Sequence, residues 1–303
     1  MCAKISKGSN NVVAHLVAFL TIAIWGTTFV WTKLLLMQGL SPAHIFTLRF
    51  LLAYLLLLLF TTMTGKGKGP RFCWKDELVM AGLGLTGGSL YFLTENAAML
   101  FTTATNTSLI VCACPLFAML LISLCYPQTE RFSRRELGGS LLAFVGMAVV
   151  VLNGHFVLHL SPLGDLLAFS ACLCWAVYSL LMKRVGGHFP TLYITRKVFF
   201  YGLVTILPYY LFDPGFPSLQ LLLRPSVWGN LLFLGCVASM ICYLTWNWCM
   251  VKLGAVTATN WVYFNPITTI LFAWLILGEQ ITPYFLIGTA CILLGIYLCS
   301  KRK

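Results

Sequence analysis

The sequence predicts an all-α integral membrane protein, with ten transmembrane helices arranged as two inverted-topology five-helix repeats. Three observations carry this. The 303-residue chain is 59% hydrophobic and only 9% charged, with a mean hydropathy of +0.88. Its basic residues alternate from loop to loop in a way that requires an even number of spans. Its first half also recurs, residue type by residue type, about 150 positions later. A soluble domain carries roughly 25% charged residues, so 9% cannot coat a chain of this length, and lipid is the solvent such a surface fits.

A spanning helix needs about 20 predominantly apolar residues, and lipid offers the backbone no water to bond, so each such segment is expected to be helical. Ten segments qualify: 12–36, 42–62, 77–98, 104–125, 136–153, 164–184, 191–212, 227–249, 255–278 and 282–300. Lys4 and Lys7 precede the first apolar run as they would in a signal peptide. That run is longer than the about 7–15 residues of a signal's apolar region and has a counterpart later in the chain, so it is expected to be a retained first helix.

The net charge of +12 would point to nucleic acid in a soluble chain, but here the bases sit in short loops between apolar runs, and no nucleic-acid partner is expected. Inner loops of membrane proteins keep an excess of Lys and Arg. With the N-terminus inside, 15 of the 20 basic residues fall on the inner side, only Lys33 and Arg224 on the outer, and Arg49, Arg196 and Lys197 within helices. Both termini are therefore expected in the cytoplasm. The inner clusters, Lys66 to Lys75 and Lys301 to Lys303, set topology and make anionic membrane lipid a further partner. All 12 cysteines lie in spans or on the inner side, so no disulfide is expected. The C-x-C pairs Cys112/Cys114 and Cys172/Cys174 lack further ligands nearby and read as small buried hydrophobes, not a metal site.

The repeat runs through the chain. Trp25 and Trp175 lie 150 residues apart, each followed eight residues on by a lysine, Lys33 or Lys183. Pro42 and Pro190 open the second helix of each half, with Arg49 and Lys197 seven residues beyond. Tyr91 matches Tyr243, which sets Glu95 opposite Asn247, and Pro115 matches Pro266. Glu130, Gly139 and Gly146 match Glu279, Gly288 and Gly295 at a shift of 149. Two units follow, 12–153 and 164–300. Each holds five helices, an odd number, so the second enters the membrane from the opposite side. That architecture recurs in secondary transporters, with the substrate site between the halves near the midplane.

The run from Cys242-Tyr243 to Gly254-Ala255, followed by Asn265-Pro266, Leu277-Gly278-Glu279, Gly288 and Gly295, resembles the second repeat of the drug/metabolite transporter superfamily, EamA type. Ile24-Trp25-Gly26, Lys33 and Arg49-Phe50 resemble its first repeat, although Thr129-Glu130 replaces the usual Gly-Glu. The resemblance covers nearly the whole chain. It implies a central cavity, a small-molecule substrate with amino acids or related metabolites as the leading class, and residence in the cytoplasmic (inner) membrane with export as the expected direction.

Within that frame the candidate substrate-binding residues are Trp25, Tyr91, Glu95, Asn106, Trp175, Tyr243, Trp246, Asn247 and Asn260. A carboxylate inside a span is costly and marks a functional position, so Glu95 is the candidate both for a substrate amine and for a coupling proton. The competing reading makes it an interfacial acid at the outer end of the third helix. The aromatic residues can hold planar or cationic groups, and the amides can bond substrate or bridge helices. Asn265 is read as a cap beside Pro266 and Asn260 as the cavity amide. Arg49 can attract an anion, but the base that recurs at Lys197 favours a structural role. Pro115 and Pro266, each lacking a helix hydrogen bond, are the candidate hinges, and the glycines Gly82, Gly84, Gly87, Gly88, Gly139 and Gly146 are assigned to packing.

An integral-membrane enzyme would need clustered catalytic side chains. The chain has five histidines, and His155 and His159, four apart in an outer loop, have no third ligand. Neither a nucleotide-binding loop nor a cofactor motif is present, so the chain is not expected to be an enzyme or to carry a cofactor. An integral-membrane enzyme or a channel is the alternative to a transporter.

Overall fold

The computed structural model describes residues 2–67, 69, 73–102, 104–128, 133–152, 161–212, 215–277 and 283–300, and among these the chain is helical throughout, with one isolated bridge between Gly186 and Phe189. In the first half the helices are α1 (Cys2–Met37), α2 (Pro42–Thr64), α3 (Trp74–Gly84), α4 (Leu90–Phe101), α5 (Ala104–Val111), α6 (Cys114–Cys125) and α7 (Arg134–Leu152). In the second they are α8 (Pro162–Val185), α9 (Thr191–Ile206), α10 (Leu219–Leu222), α11 (Pro225–Leu232), α12 (Cys242–Leu253), α13 (Ala255–Thr259), α14 (Asn265–Leu277) and α15 (Pro283–Ser300).

Local chemistry sets the ends. α2 opens on a reciprocal capping pair: the His44 amide donates to Ser41 Oγ at 3.2 Å and the Ser41 amide donates to His44 Nδ1 at 3.4 Å, with Pro42 in the first turn, where its missing N–H costs nothing. It closes on Gly65 at φ 65°, a left-handed turn that favours glycine. Pro162 opens α8 in the same way, and Lys183 and Arg184 end it where the helix dipole is negative.

Among the described residues, the stretches Val12–Met37, Pro42–Thr64, Pro162–Val185 and Pro225–Leu253 are long and apolar enough to cross a membrane. Several helical rods, the last of these among them, change winding or break at chemically explicable points. A π-helical turn, Leu85–Ser89, joins α3 to α4 around Gly88, and a longer one, Phe233–Ile241, joins α11 to α12. Such turns absorb an extra residue and concentrate at functional sites. The helix containing Pro115 breaks at Cys112–Ala113, and the one containing Pro266 tightens to 3₁₀ winding over Asn260–Phe264. Both faults lie on the N-terminal side of the proline, whose absent N–H frees the carbonyl four residues earlier.

The contacts exchange under the repeat. α4 packs along α8 as α12 packs along α1, and α6 lies against α8 as α14 lies against α1. The Leu85–Ser89 turn runs beside α9 as the Phe233–Ile241 turn runs beside α2. α7 and α15, the last helices of the two halves, pair directly. A Cβ placed on Gly139 would stand 2.8 Å from the Gly295 carbonyl oxygen, and one on Gly146 would stand 2.7 Å from that of Gly288. Moving up seven residues on α7 thus moves down seven on α15, so these two equivalent helices are antiparallel. The halves are therefore inverted relative to each other, and the four glycines do the packing the sequence assigns to Gly139 and Gly146.

Candidate functional site

Between the halves lies a cavity of about 40 Å³, lined from α1 by Trp25, Thr28 and Phe29, from α2 by Arg49, and from α4 by Tyr91, Phe92 and Glu95. Val111 and Cys114 flank the break before Pro115, and Trp175, Tyr243, Val262 and Asn265 complete the wall from the second half. That volume is well below the roughly 300–1,000 Å³ of small-molecule sites, so the site is contracted in this conformation.

The wall carries two opposite charges. Glu95 is buried, and its Oε1 accepts a hydrogen bond of 2.6 Å from the Tyr91 hydroxyl one turn earlier on the same helix. Arg49, 2% exposed, donates from Nε to Ser239 Oγ at 2.9 Å and sets its guanidinium 4.5 Å above the Phe92 ring. Among the described residues Ser239 is its only hydrogen-bond partner, and Arg49 and Glu95 form no direct ion pair. The terminal guanidinium nitrogens and Glu95 Oε2 are thus left without partners among the described residues beside the same space. Charges held this way face a cavity, the arrangement expected of intramembrane ionisable groups that handle substrate.

Aromatic rings form the rest of the wall. Trp25 meets Trp175 edge-on at 5.5 Å and Tyr243 at 5.6 Å, and Tyr91 meets Trp175 at 5.1 Å. The two tryptophans differ in their hydrogen bonding. Trp25 Nε1 donates to the Ala238 carbonyl at 2.7 Å, in the π-helical turn of the second half. Trp175 Nε1 has no partner among the described residues, nor has Asn265 Oδ1. The Tyr243 hydroxyl donates to the carbonyl of Gly87, in the π-helical turn of the first half.

Of the residues singled out in the sequence, Trp25, Tyr91, Glu95, Trp175 and Tyr243 come together on this wall. Trp246 does not reach it. It is fully buried behind Trp25, ring to ring at 5.2 Å. Asn247, the repeat partner of Glu95, is spent between helices: it donates to Thr195 Oγ1 at 3.0 Å and accepts from the Tyr178 hydroxyl. Asn260 is buried away from the cavity, while Asn265, read in the sequence as a cap, lines it. The Asn106 side chain falls outside the described residues, as do His155 and His159. Pro115 and Pro266 sit immediately after the two helix faults, and Val111 and Val262, whose carbonyls they free, both line the cavity. Cys112 Sγ donates to the Val262 carbonyl at 3.6 Å.

Arg49 is the chief residue that the sequence reading undervalued, because it was weighed with Lys197. The structure separates the two. Lys197 pairs with the Glu77 carboxylate at 2.7 and 2.9 Å, and Tyr193 and Tyr201 donate to the same carboxylate at 3.2 and 2.5 Å, tying α3 to α9 away from the cavity. Arg49 pairs with no acid among the described residues. The usable signal was Arg49 itself, a base two turns inside an apolar helix.

Residues 12–152 and 162–301 each match the EamA-like transporter family. The chain belongs to that family. It is similar over nearly its full length to an uncharacterized transporter of Archaeoglobus fulgidus, at 27% identity over 97% of this chain and 99% of the relative. A probable amino-acid metabolite efflux pump of Salmonella typhimurium is also 27% identical, over 93% and 92% of the two chains. A probable terminal-alkyne amino-acid exporter of Streptantibioticus cattleyicolor is 25% identical over 75% and 74%. A solved crystal structure shares the fold with a TM-score of 0.75 at 21% identity, covering 95% of this chain and 97% of its own. This EamA-like protein is a multi-pass membrane transporter.

Proposed function

We propose that this EamA-like transporter exports amino acids or closely related zwitterionic metabolites across the cytoplasmic membrane by alternating access, with both termini on the cytoplasmic side. The observation that carries the reading is that Arg49 and Glu95 line one cavity and do not pair with each other. An amino acid brings a carboxylate and an ammonium on adjacent carbons. The guanidinium fork takes the carboxylate, Glu95 takes the ammonium, and the remaining substrate lies against Trp25, Trp175 and Tyr91. The two relatives named for amino-acid export support the substrate class.

Proton and ammonium compete for the same Glu95 carboxylate, and this competition couples the two: substrate binding displaces the proton, and reprotonation expels the substrate. Inverted repeats alternate by exchanging the conformations of their halves. Here the exchange has identifiable hydrogen bonds. Trp25 holds the Ala238 carbonyl and Tyr243 holds that of Gly87. Gly87 and Ala238 occupy matching places in the two π-helical turns, 151 residues apart. In the exchanged state the repeat partners take over: Trp175, now without a partner, donates to Gly87, and Tyr91 donates to Ala238. Tyr91 thereby releases Glu95, so the carboxylate is held in one state and free for ammonium in the other.

The test is uptake of labelled amino acids and related metabolites by proteoliposomes containing the purified protein, at two opposed pH gradients. Saturable uptake that follows the proton gradient is expected. Uptake indistinguishable from empty liposomes for every zwitterion tried would overturn the substrate class, and conductance that does not saturate would replace the transporter mechanism with a channel.

A further inference from the structure

A second hollow, separate from the central cavity, opens between α3 and α8 and holds about 310 Å³. Lys75, Leu78, Val79 and Gly82 line it from α3, and Leu181 and Arg184 from α8. The α3 residues recur at three- and four-residue intervals, so they form one continuous stripe on that helix. Gly82 brings the helices close: a Cβ there would stand 3.0 Å from Leu181 Cδ1. The floor is thus apolar and narrow, and the mouth is flanked by two cations. Lys75 and Arg184 are both exposed, and no hydrogen bond or ion pair joins either to another described residue. No carboxylate lines the hollow. Glu77, on the same helix, turns away into its pairing with Lys197.

We propose that this groove is a binding site for an anionic phospholipid. Its phosphate sits between Lys75 and Arg184 and one acyl chain lies along Leu78, Val79 and Leu181. Charge and shape select this occupant together. Two unpaired cations at a helix end draw an anionic headgroup, and the leucine and valine walls suit a hydrocarbon chain but give a free phosphate ion nothing to bind. Arg184 ends the helix that carries Trp175, and α3 continues through the Gly88 turn into the helix of Glu95, so a bound lipid would bridge two elements that line the central cavity.

Native mass spectrometry of the detergent-purified protein, titrated with phosphatidylglycerol or phosphatidylcholine of matched chains, tests the site. Phosphatidylglycerol should be retained in preference to phosphatidylcholine. The double variant K75Q/R184Q should bind it roughly 30-fold more weakly, as expected for two surface cations acting on one headgroup, and K75R/R184K should keep the preference. Equal retention of the two lipids by the native protein would overturn the proposal, and so would undiminished phosphatidylglycerol binding by K75Q/R184Q. Inorganic phosphate alone should not raise the melting temperature; if it raised it as much as the lipid does, the site would be one for a free anion.

Discussion

The Tyr91 hydroxyl donates to Glu95 Oε1 across 2.6 Å, from one turn earlier on the same helix, and the pair faces the cavity between the two repeats. Replacing Glu95 with Gln keeps the shape and removes the charge. Transport should fall by roughly 10- to 100-fold, the loss expected for one charge-assisted hydrogen bond, and what remains should no longer respond to a pH gradient. Proteoliposome flux at several external pH values measures both. A variant that folds normally by size exclusion but keeps its pH response would remove Glu95 from coupling.

Arg49 reaches Ser239 through Nε and keeps its terminal nitrogens for the cavity. Arg49→Lys preserves the charge but loses the planar fork, so KM should rise by about tenfold with a smaller change in maximal rate. Arg49→Gln should lose more. Ser239→Ala removes only the positioning bond and should raise KM by a few-fold. Equal effects of Lys and Gln at position 49 would mean that the guanidinium geometry is irrelevant.

Trp25→Phe and Trp175→Phe should act in opposite directions. The first deletes a donor used in this conformation, the second a donor whose partner exists only in the exchanged one. Cys114 lines the cavity and serves as a reporter of access. In a protein where it is the sole thiol, its labelling by a membrane-impermeant reagent should shift toward one side with Trp25→Phe and toward the other with Trp175→Phe. Matching shifts, or none, would refute the exchange of donors.

Gly139 and Gly138 are neighbours with contrasting surroundings. A Cβ on Gly139 meets the Gly295 carbonyl at 2.8 Å, whereas one on Gly138 meets nothing within 4 Å. Gly139→Ala should therefore destabilise the protein by about 1–3 kcal/mol through overpacking. Gly138→Ala should be neutral or stabilise by up to about 1 kcal/mol through helix propensity. Melting temperatures in detergent distinguish these outcomes.

Lys197 neutralises Glu77 inside a shell of tyrosines. Lys197→Met leaves a buried carboxylate uncompensated, at a cost of about 3–5 kcal/mol, and the added change Glu77→Gln should restore part of that loss. A double variant as unstable as Lys197→Met alone would show that the pair is not the source of the stability.

The helical membrane fold and the inverted repeat were legible because both rest on patterns that a linear chain displays: apolar runs, alternating charge and matched residue types. Five of the cavity residues were legible for the same reason, since aromatic residues and a carboxylate are conspicuous in apolar helices. The amides were not. Asn260 and Asn265 lie on 3₁₀ and α-helical winding respectively, and the change of pitch between them rotates one away from the cavity and the other into it. Arg49 and Lys197 hold equivalent places in the two repeats, and only the fold shows that an acid pairs with Lys197 and not with Arg49. The drift of the repeat shift also has a physical origin. It is 151 between Gly84 and Gly235 and 152 between Tyr91 and Tyr243, and the added residue is taken up where the π-helical turn lengthens from five residues to nine.

The crossing of α7 with α15 is an isologous interface within a single polypeptide. Gly139 meets Gly295, and their counterparts Gly288 and Gly146 meet in turn. In a homodimer built this way every amino-acid change would strike both equivalent contacts and both sides of the cavity at once. Covalent joining of the halves removes that constraint. One copy can carry Glu95 on the cavity wall while the other turns Asn247 into a strut between helices, so the chain keeps the symmetry of a dimer in its scaffold and gives it up on the cavity wall.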